Sequence, residues 1–302
     1  MTENTRAALL MTAAMALFAM EDAFVKTLTA SLPVPQLLAM TGAAGMVVFW
    51  LRMKRRRQPL FSAALLHPMV MARNLGEVVG AFGFVTALAW GDLAVASAIL
   101  QVLPLTLVMG AALFLGEAVG WRRWLSVAVG FAGVLLILRP GAAGVEPSAL
   151  LAVVGVAGLT LRDLATRRIP PGVPSDQLSA SAFGAMVPAG LALTLASGTA
   201  IVVPGTFDTA LLAGTVLFGV LGYAALVAAS RLGEASVVAP FRYTRLAFAL
   251  VVAAVVFGER PDALTLAGAA LIAAAGAYAM WREARVRRPA QPVDGLVRPG
   301  SR

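Results

Sequence analysis

Residues 94–117 read AVASAILQVLPLTLVMGAALFLGE, and residues 235–259 read ASVVAPFRYTRLAFALVVAAVVFGE. Each is a long, predominantly apolar run, and a helix of about 20 such residues crosses a hydrocarbon layer. Each ends in Gly-Glu, at Gly116-Glu117 and Gly258-Glu259, and each is followed by a further run rich in Gly and Ala. The distance from Glu117 to Glu259 is close to half of the 302-residue chain. A repeat at half the chain length means that one structural unit is built twice.

Working outward from these runs, ten apolar stretches can be placed: residues 7–29, 35–51, 68–90, 94–115, 124–138, 148–165, 177–197, 209–230, 235–257 and 263–281. They are continuous rather than alternating. They therefore predict helices, which satisfy their own backbone in lipid, and not barrel strands. The composition agrees, with 60% of residues hydrophobic and 13% charged, against about 45–50% and about 25% in soluble domains. A soluble enzyme, a disordered chain and a fibre are excluded. The fold class predicted is all-α integral membrane, with ten transmembrane helices. Five fall in each half, and an odd number makes the second copy enter the bilayer from the opposite side. Two inverted five-helix repeats, 1–141 and 142–284, then enclose a central cavity, as in many secondary transporters. The segment 285–302, rich in Pro and Arg, is expected to be a disordered cytoplasmic tail. The first stretch follows Arg6 as a signal peptide would, but nine more spans come after it, so it is expected to be retained.

The chain carries 24 Lys and Arg against 15 Asp and Glu, a net charge of +9. The bases lie in short clusters between apolar runs, which leaves no basic face for a nucleic acid. They set topology instead. With the N-terminus inside, eighteen fall on the inner side, among them Arg52, Arg122, Arg162, Arg167, Arg168 and Arg282, and only Arg139 and Arg260 fall outside. Positive residues are retained on the cytoplasmic side, so both termini are expected in the cytoplasm and the protein in the inner (plasma) membrane. Trp50, Trp90, Trp121, Trp124 and Trp281 fall at span ends, as an interfacial belt does. There are no cysteines and one histidine, His67. Disulfides, thiolate metal sites and multi-histidine sites are excluded, and no metal or other cofactor is expected.

Ionisable residues inside a span cost about 2.5–3.5 kcal/mol each and usually face a cavity. Span one holds Glu21, Asp22 and Lys26. Asp22 and Lys26 are four apart, which favours an intrahelical pair. The rival reading has Lys26 snorkelling to the outer interface with Asp22 neutralising it. Span three holds Arg73 and Glu77, also four apart, either lining the cavity or clamping helices beside Gly76 and Gly80. Span nine holds Arg242, Tyr243 and Arg245. A guanidinium there suits a substrate carboxylate, or else pairs with Glu77, Glu21 or Asp22 to hold the halves together. The mixed charge suits a zwitterion.

Gln101 lies near the middle of span four, and Tyr223 and Tyr243 lie well inside. With Phe24, Phe82, Phe84 and Phe241 near the charged positions, they offer surfaces for an aromatic side chain. Pro104 and Pro240 kink the related spans four and nine, as hinges for alternating access or as static bends. His67, before Pro68, is expected to cap a helix or to lie at the surface. Protonation of Glu21, Asp22 or Glu77 is the expected route if protons drive transport.

The stretch 73–141 contains Ala87-Leu88, Leu93-Ala94, Pro104, Leu115-Gly116-Glu117, Gly120-Trp121-Arg122-Arg123-Trp124, Gly130-Phe131-Ala132-Gly133-Val134-Leu135 and Arg139-Pro140-Gly141. It resembles the first repeat of EamA-type transporters of the drug/metabolite transporter superfamily, and residues 231–276 resemble the second more loosely. The whole chain is most similar to bacterial exporters of aromatic and other amino acids in that superfamily. The resemblance implies ten helices in two inverted repeats, a central cavity and alternating access. Glu21-Asp22, where many relatives carry smaller or neutral residues, and Thr41, near where many carry arginine, depart from the pattern.

The expected activity is export of amino acids, aromatic and other apolar ones with broad specificity. A monomer is the working unit, and the substrate and the lipid bilayer are its partners. The alternative cargo is another metabolite or drug, such as a purine or nucleoside, riboflavin or a cationic drug. A channel-like facilitator and an intramembrane enzyme are rivals from other classes. The enzyme is the weakest, since the sequence has no metal cluster, aspartate-pair signature or phosphate loop.

Overall fold

Apolar runs punctuated by proline and glycine become helices that end at the punctuation. The computed structural model describes residues 2–140, 145–170, 172–232 and 235–286, and the regular structure among these residues is helical. In chain order the helices are α1 (Glu3–Leu28), α2 (Val34–Arg55), α3 (Pro68–Trp90), α4 (Leu93–Leu100), α5 (Leu103–Phe114), α6 (Trp121–Leu138), α7 (Pro147–Arg167), α8 (Ser175–Ala196), α9 (Thr206–Leu232), α10 (Ala235–Val238), α11 (Thr244–Val256) and α12 (Ala263–Val286). Pro35, Pro68 and Pro147 stand in the first turns of α2, α3 and α7, where a missing N–H costs nothing. His67 caps α3, its Nδ1 accepting from the Met69 N–H at 3.2 Å.

Among the described residues eight helices are long and apolar enough to cross a membrane, with α4 and α5 taken together as Leu93–Phe114. Two of the ten expected spans depart from that description. Helix α3 carries Arg73, Asn74 and Glu77, which lower its hydropathy. The run 235–257 is not one helix, because a 3-10 turn at Ala239–Tyr243, containing Pro240, separates α10 from α11. The related run 94–115 is divided likewise. Helix α4 ends at Leu100 and α5 starts at Leu103, one residue before Pro104. Helix α12 continues to Val286, into the segment expected as a tail, and residues 287–302 lie outside the described residues.

The two Gly-Glu corners share one geometry. Gly116 and Gly258 have φ of +69° and +65°, in the left-handed region that glycine enters without steric cost. The Glu117 N–H donates to the Ala111 carbonyl at 3.2 Å, and the Glu259 N–H donates to the Ala253 carbonyl at 3.0 Å. Donor and acceptor of the second bond are those of the first, each displaced by the same repeat offset, the step that carries Glu117 onto Glu259.

The most extensive helix pairs are α3–α7, α1–α9, α2–α8 and α6–α12. The repeat offset carries α1, α2, α3 and α6 onto α7, α8, α9 and α12. The pair α3–α7 then becomes α9–α1, while α2–α8 and α6–α12 map onto themselves. Glycine lets α3 and α7 touch backbone to backbone. A Cβ on Gly158 would lie 2.4 Å from the Gly80 nitrogen, and one on Gly83 would lie 2.6 Å from the Gly155 nitrogen. Large apolar side chains such as Leu113, Leu195 and Val255 face outward and are exposed, as a lipid-facing surface requires.

Candidate functional site

Helices α1, α2, α3, α7, α8 and α9, with the two broken runs, surround a cavity of about 590 Å³. Glu21, Arg73, Glu77, Gln101, Pro104, Tyr223, Arg242 and Arg245 line it. The structure thus gathers into one space predicted positions that come from five separate stretches of sequence. Asp22, Lys26, Tyr243 and Pro240 are not part of the lining.

Pairs suggested by spacing along one helix give way to pairs between helices. Asp22 does not pair with Lys26 but with Arg245 of α11, the alternative reading of span nine, whose Nη2 reaches Oδ2 at 2.8 Å and Oδ1 at 2.9 Å. Glu77 does not pair with Arg73 but with Arg162 of α7, at 3.4 Å to each carboxylate oxygen. In both cases a facing helix brings its guanidinium head-on to the carboxylate. An i,i+4 partner can only lie beside it, for a few tenths of a kcal/mol. Arg73 instead donates to the Leu178 carbonyl at 2.8 Å, and its Nε is buried without a hydrogen-bond partner among the described residues.

Arg242 and Glu21 differ from these groups. The Arg242 side chain faces the cavity, and its guanidinium makes no hydrogen bond or ion pair among the described residues. Only its backbone carbonyl is engaged, accepting from Gln101 Nε2 at 3.4 Å. Glu21 follows the same rule. Its carboxylate lies where a Cβ on Gly219 would come within 2.8 Å of Oε1, and no described donor bonds it. The break between α4 and α5 places Gln101 beside the break between α10 and α11, so both interruptions meet at the cavity.

The aromatic lining also differs from the expectation. Phe24, Phe82, Phe84 and Phe241 do not line the cavity, whereas Phe18, Phe49 and Phe183 do. Phe49 stacks on Phe183 with ring centroids 5.7 Å apart and meets Tyr223 edge-on at 6.2 Å. Tyr243 is buried and turned toward α12, where a Cβ on Gly276 would overlap its hydroxyl.

Residues missed from sequence are Arg52, Arg162 and Asp163, all in the lining. Sequence clustering groups Arg162 with Arg167 and Arg168 as loop charge. Helix α7 runs on to Arg167, so Arg162 and Asp163 stay helical and turn inward. Asp163 accepts from Arg162 Nε at 2.7 Å, and Arg52 pairs with Asp176 at 3.2 Å. The overlooked signal is an acid-base doublet within one turn of the end of an apolar run.

The cavity reaches the end of the bundle where Arg52, Thr166 and Ser179 lie. At the other end Lys26 holds Glu259 at 2.8 Å and the Gly91 carbonyl at 2.6 Å. The Glu259 carboxylate also accepts from the Leu93 and Ala94 N–H groups at 2.8 and 2.9 Å. It thereby satisfies the first amides of α4 and complements the helix dipole. In the sequence Glu259 stands out as a repeat marker, not as a partner of Lys26.

Apolar helices of bilayer length around a charged, water-accessible space define a multi-pass membrane transporter. Residues 5–139 match the EamA-like transporter family. The riboflavin transporter of Rhizobium johnstonii is 32% identical over 228 residues, which cover 72% of this chain and 73% of that protein. The chain belongs to the EamA-like transporter family. An S-adenosylmethionine uptake transporter of Rickettsia conorii is 31% identical over 56% of this chain and 57% of that protein. The pseudopaline exporter CntI of Pseudomonas aeruginosa is 27% identical over 85% and 90%. A protein of known crystal structure superposes with a TM-score of 0.62 over 92% of this chain and 98% of that one, at 20% identity, a likeness of fold alone. The relatives' names agree on transport and do not single out amino acids.

Proposed function

We propose that the protein is a secondary transporter that exports a small zwitterionic metabolite by alternating access, with apolar and aromatic amino acids as the first cargo. The observation that carries this reading is a guanidinium and a carboxyl that share the cavity with no bonded partner among the described residues. Arg162 and Arg245 already hold carboxylates, while the charged groups of Arg242 and Glu21 have no bonded partner among the described residues. One guanidinium and one carboxylate in one space offer counter-charges to a carboxylate and an ammonium. Phe49 and Tyr223 offer aromatic walls for a side chain. A volume of about 590 Å³ lies in the usual range of about 300–1,000 Å³ for small-molecule sites.

The proposal includes ten crossings in two inverted five-helix halves, with both termini in the cytoplasm and the chain working as a monomer in the inner membrane. The exchange of helix pairs under the repeat offset supports the inversion. In that orientation the cavity faces the cytoplasm and the Lys26–Glu259 end faces outward. The breaks beside Pro104 and Pro240 are where the halves would flex. Glu21, uncommitted, is the carboxylate best placed to take a proton if protons drive the cycle.

A second reading, with riboflavin or S-adenosylmethionine as cargo, is favoured by the names of two relatives. Flux of labelled phenylalanine, threonine, riboflavin, S-adenosylmethionine and a purine into proteoliposomes, with and without a pH gradient, separates the two. Saturable phenylalanine flux with counterflow, its half-saturation concentration raised about tenfold in Arg242→Ala, supports the amino-acid reading. Saturable riboflavin or S-adenosylmethionine flux without amino-acid flux replaces it. Flux that never saturates and shows no counterflow indicates a channel-like facilitator.

A further inference from the structure

The closed end of the bundle has a counterpart at the other end. The repeat offset relates Lys26 to Arg168, Glu259 to Glu117, and Leu93 and Ala94 to Ala235 and Ser236, the first residues of α10. Lys26 and Glu259 are joined and buried, their side chains 16% and 6% exposed. Glu117 and Arg168 are close in space but not joined to each other. Glu117 pairs with Arg167 at 2.9 Å, both side chains about two-fifths exposed, and Arg168 donates to the Phe114 carbonyl. Beside them an apolar cavity of about 510 Å³ lies among α3, α5, α6 and α7, with Phe114, Leu115 and Arg168 on its wall, while α5 and α7 touch further along at Thr106 and Thr160. The Glu117 corner therefore has open space beside it.

We propose that Glu117 and Arg168 are the second lock of the transport cycle, made when the Lys26–Glu259 lock opens. The Gly116-Glu117 corner closes onto α7, Glu117 exchanges Arg167 for Arg168, and the new pair seals the end that now reaches the cavity. Arg167 ends α7 and Arg168 is its C-cap, so the exchange requires a movement of the corner and not a refolding of α7. The inference rests on the alternating-access reading and goes beyond it by naming the residues that hold the opposite state.

The full chain has no cysteine, so a single Val216→Cys in the cavity lining reports access from either side of a proteoliposome to a membrane-impermeant maleimide. Glu259→Gln is expected to raise labelling from the Lys26 side. Glu117→Gln and Arg168→Gln are each expected to lower it by at least about fivefold, the smallest usual coupling between two states. The charge exchange Glu117→Arg with Arg168→Glu is expected to restore it, which a misfolded variant could not do. Unchanged Lys26-side labelling in Glu117→Gln and Arg168→Gln, while Glu259→Gln still raises it, overturns the second lock and leaves alternating access standing. Labelling from one side alone in every variant overturns alternating access itself, and the lock with it.

Discussion

At one end of the bundle Glu259 accepts from Lys26 and from two backbone amides with 6% of its side chain exposed. At the other end Glu117 stands in the matching Gly-Glu corner of the first repeat and accepts from Arg167 with 42% exposed. Sequence, corner geometry and charge are matched, and the surroundings are not. A carboxylate removed from water and bonded to three donors holds two helices and a helix start together. The same carboxylate in water makes a pair worth about 0–1 kcal/mol. Burial, not the presence of an ion pair, distinguishes a sealed end from an open one.

The strongest way to break that comparison is to remove each carboxylate. Glu259→Ala leaves Lys26 without its counter-charge, with only the Gly91 carbonyl, and leaves two amides without their acceptor, and about 3–5 kcal/mol of stability should be lost. Glu117→Ala should stay within about 1 kcal/mol. Thermal unfolding in detergent micelles reads both, and equal losses would erase the distinction. Asp22→Ala strands Arg245 and should cost about 3 kcal/mol. Glu77→Gln should cost about 1 kcal/mol, because Arg162 keeps Asp163.

A smaller effect separates the two related helix pairs. Gly158→Ala forces a Cβ to 2.4 Å from the Gly80 backbone and should cost about 2 kcal/mol. Gly222→Ala meets the Phe18 ring edge at 3.0 Å and the Leu17 Cβ at 3.4 Å, side chains and not backbone, and should cost less. A larger loss at Gly222 would reverse the ranking of α3–α7 over α1–α9. Arg242→Ala should leave the unfolding temperature unchanged and raise the half-saturation concentration for phenylalanine about tenfold, or about 1.4 kcal/mol. A fall in stability instead would mark Arg242 as a structural partner.

The smallest effect concerns acid. Arg139, with the Thr265 N–H, holds the Asp262 carboxyl well below its usual range. A carboxyl lower in the folded than in the unfolded chain adds stability above its unfolded value and loses it as pH falls through the folded one. The wild type should therefore lose stability below about pH 4 more steeply than Asp262→Asn, with the two curves parallel above that. Identical acid limbs would remove the Arg139–Asp262 contribution.

The recurrent Gly-Glu corner was legible because it is written in local residues. Gly-Glu recurs at a fixed spacing, and an apolar run of bilayer length predicts a helix without knowledge of its neighbours. The gathering of Arg242, Arg245, Glu77 and Glu21 was legible for a related reason, since a charge inside a span has few places to face except a shared cavity. The partners were legible only in part. Sequence spacing favoured Asp22 with Lys26, whereas the alternative pairing of a span-nine arginine with Asp22 is the one the structure contains, and Glu77 found its base on α7, among residues that clustering had grouped as loop charge. Arg162 and Asp163 were hidden because they lie one turn from a cluster of loop bases, and only the length of α7 shows that they point inward.

Hydropathy, charge bias and periodicity by themselves determined the membrane class, the approximate helices and the recurrence of the Gly-Glu corner, because those properties are read from short stretches, each no longer than a single span. Tertiary structure alone decided which charges are spent on each other and which stay free, which end is sealed, and which aromatic rings form the wall. Those outcomes depend on distances between helices that are far apart in the chain, and on how much water each pairing leaves around a charge.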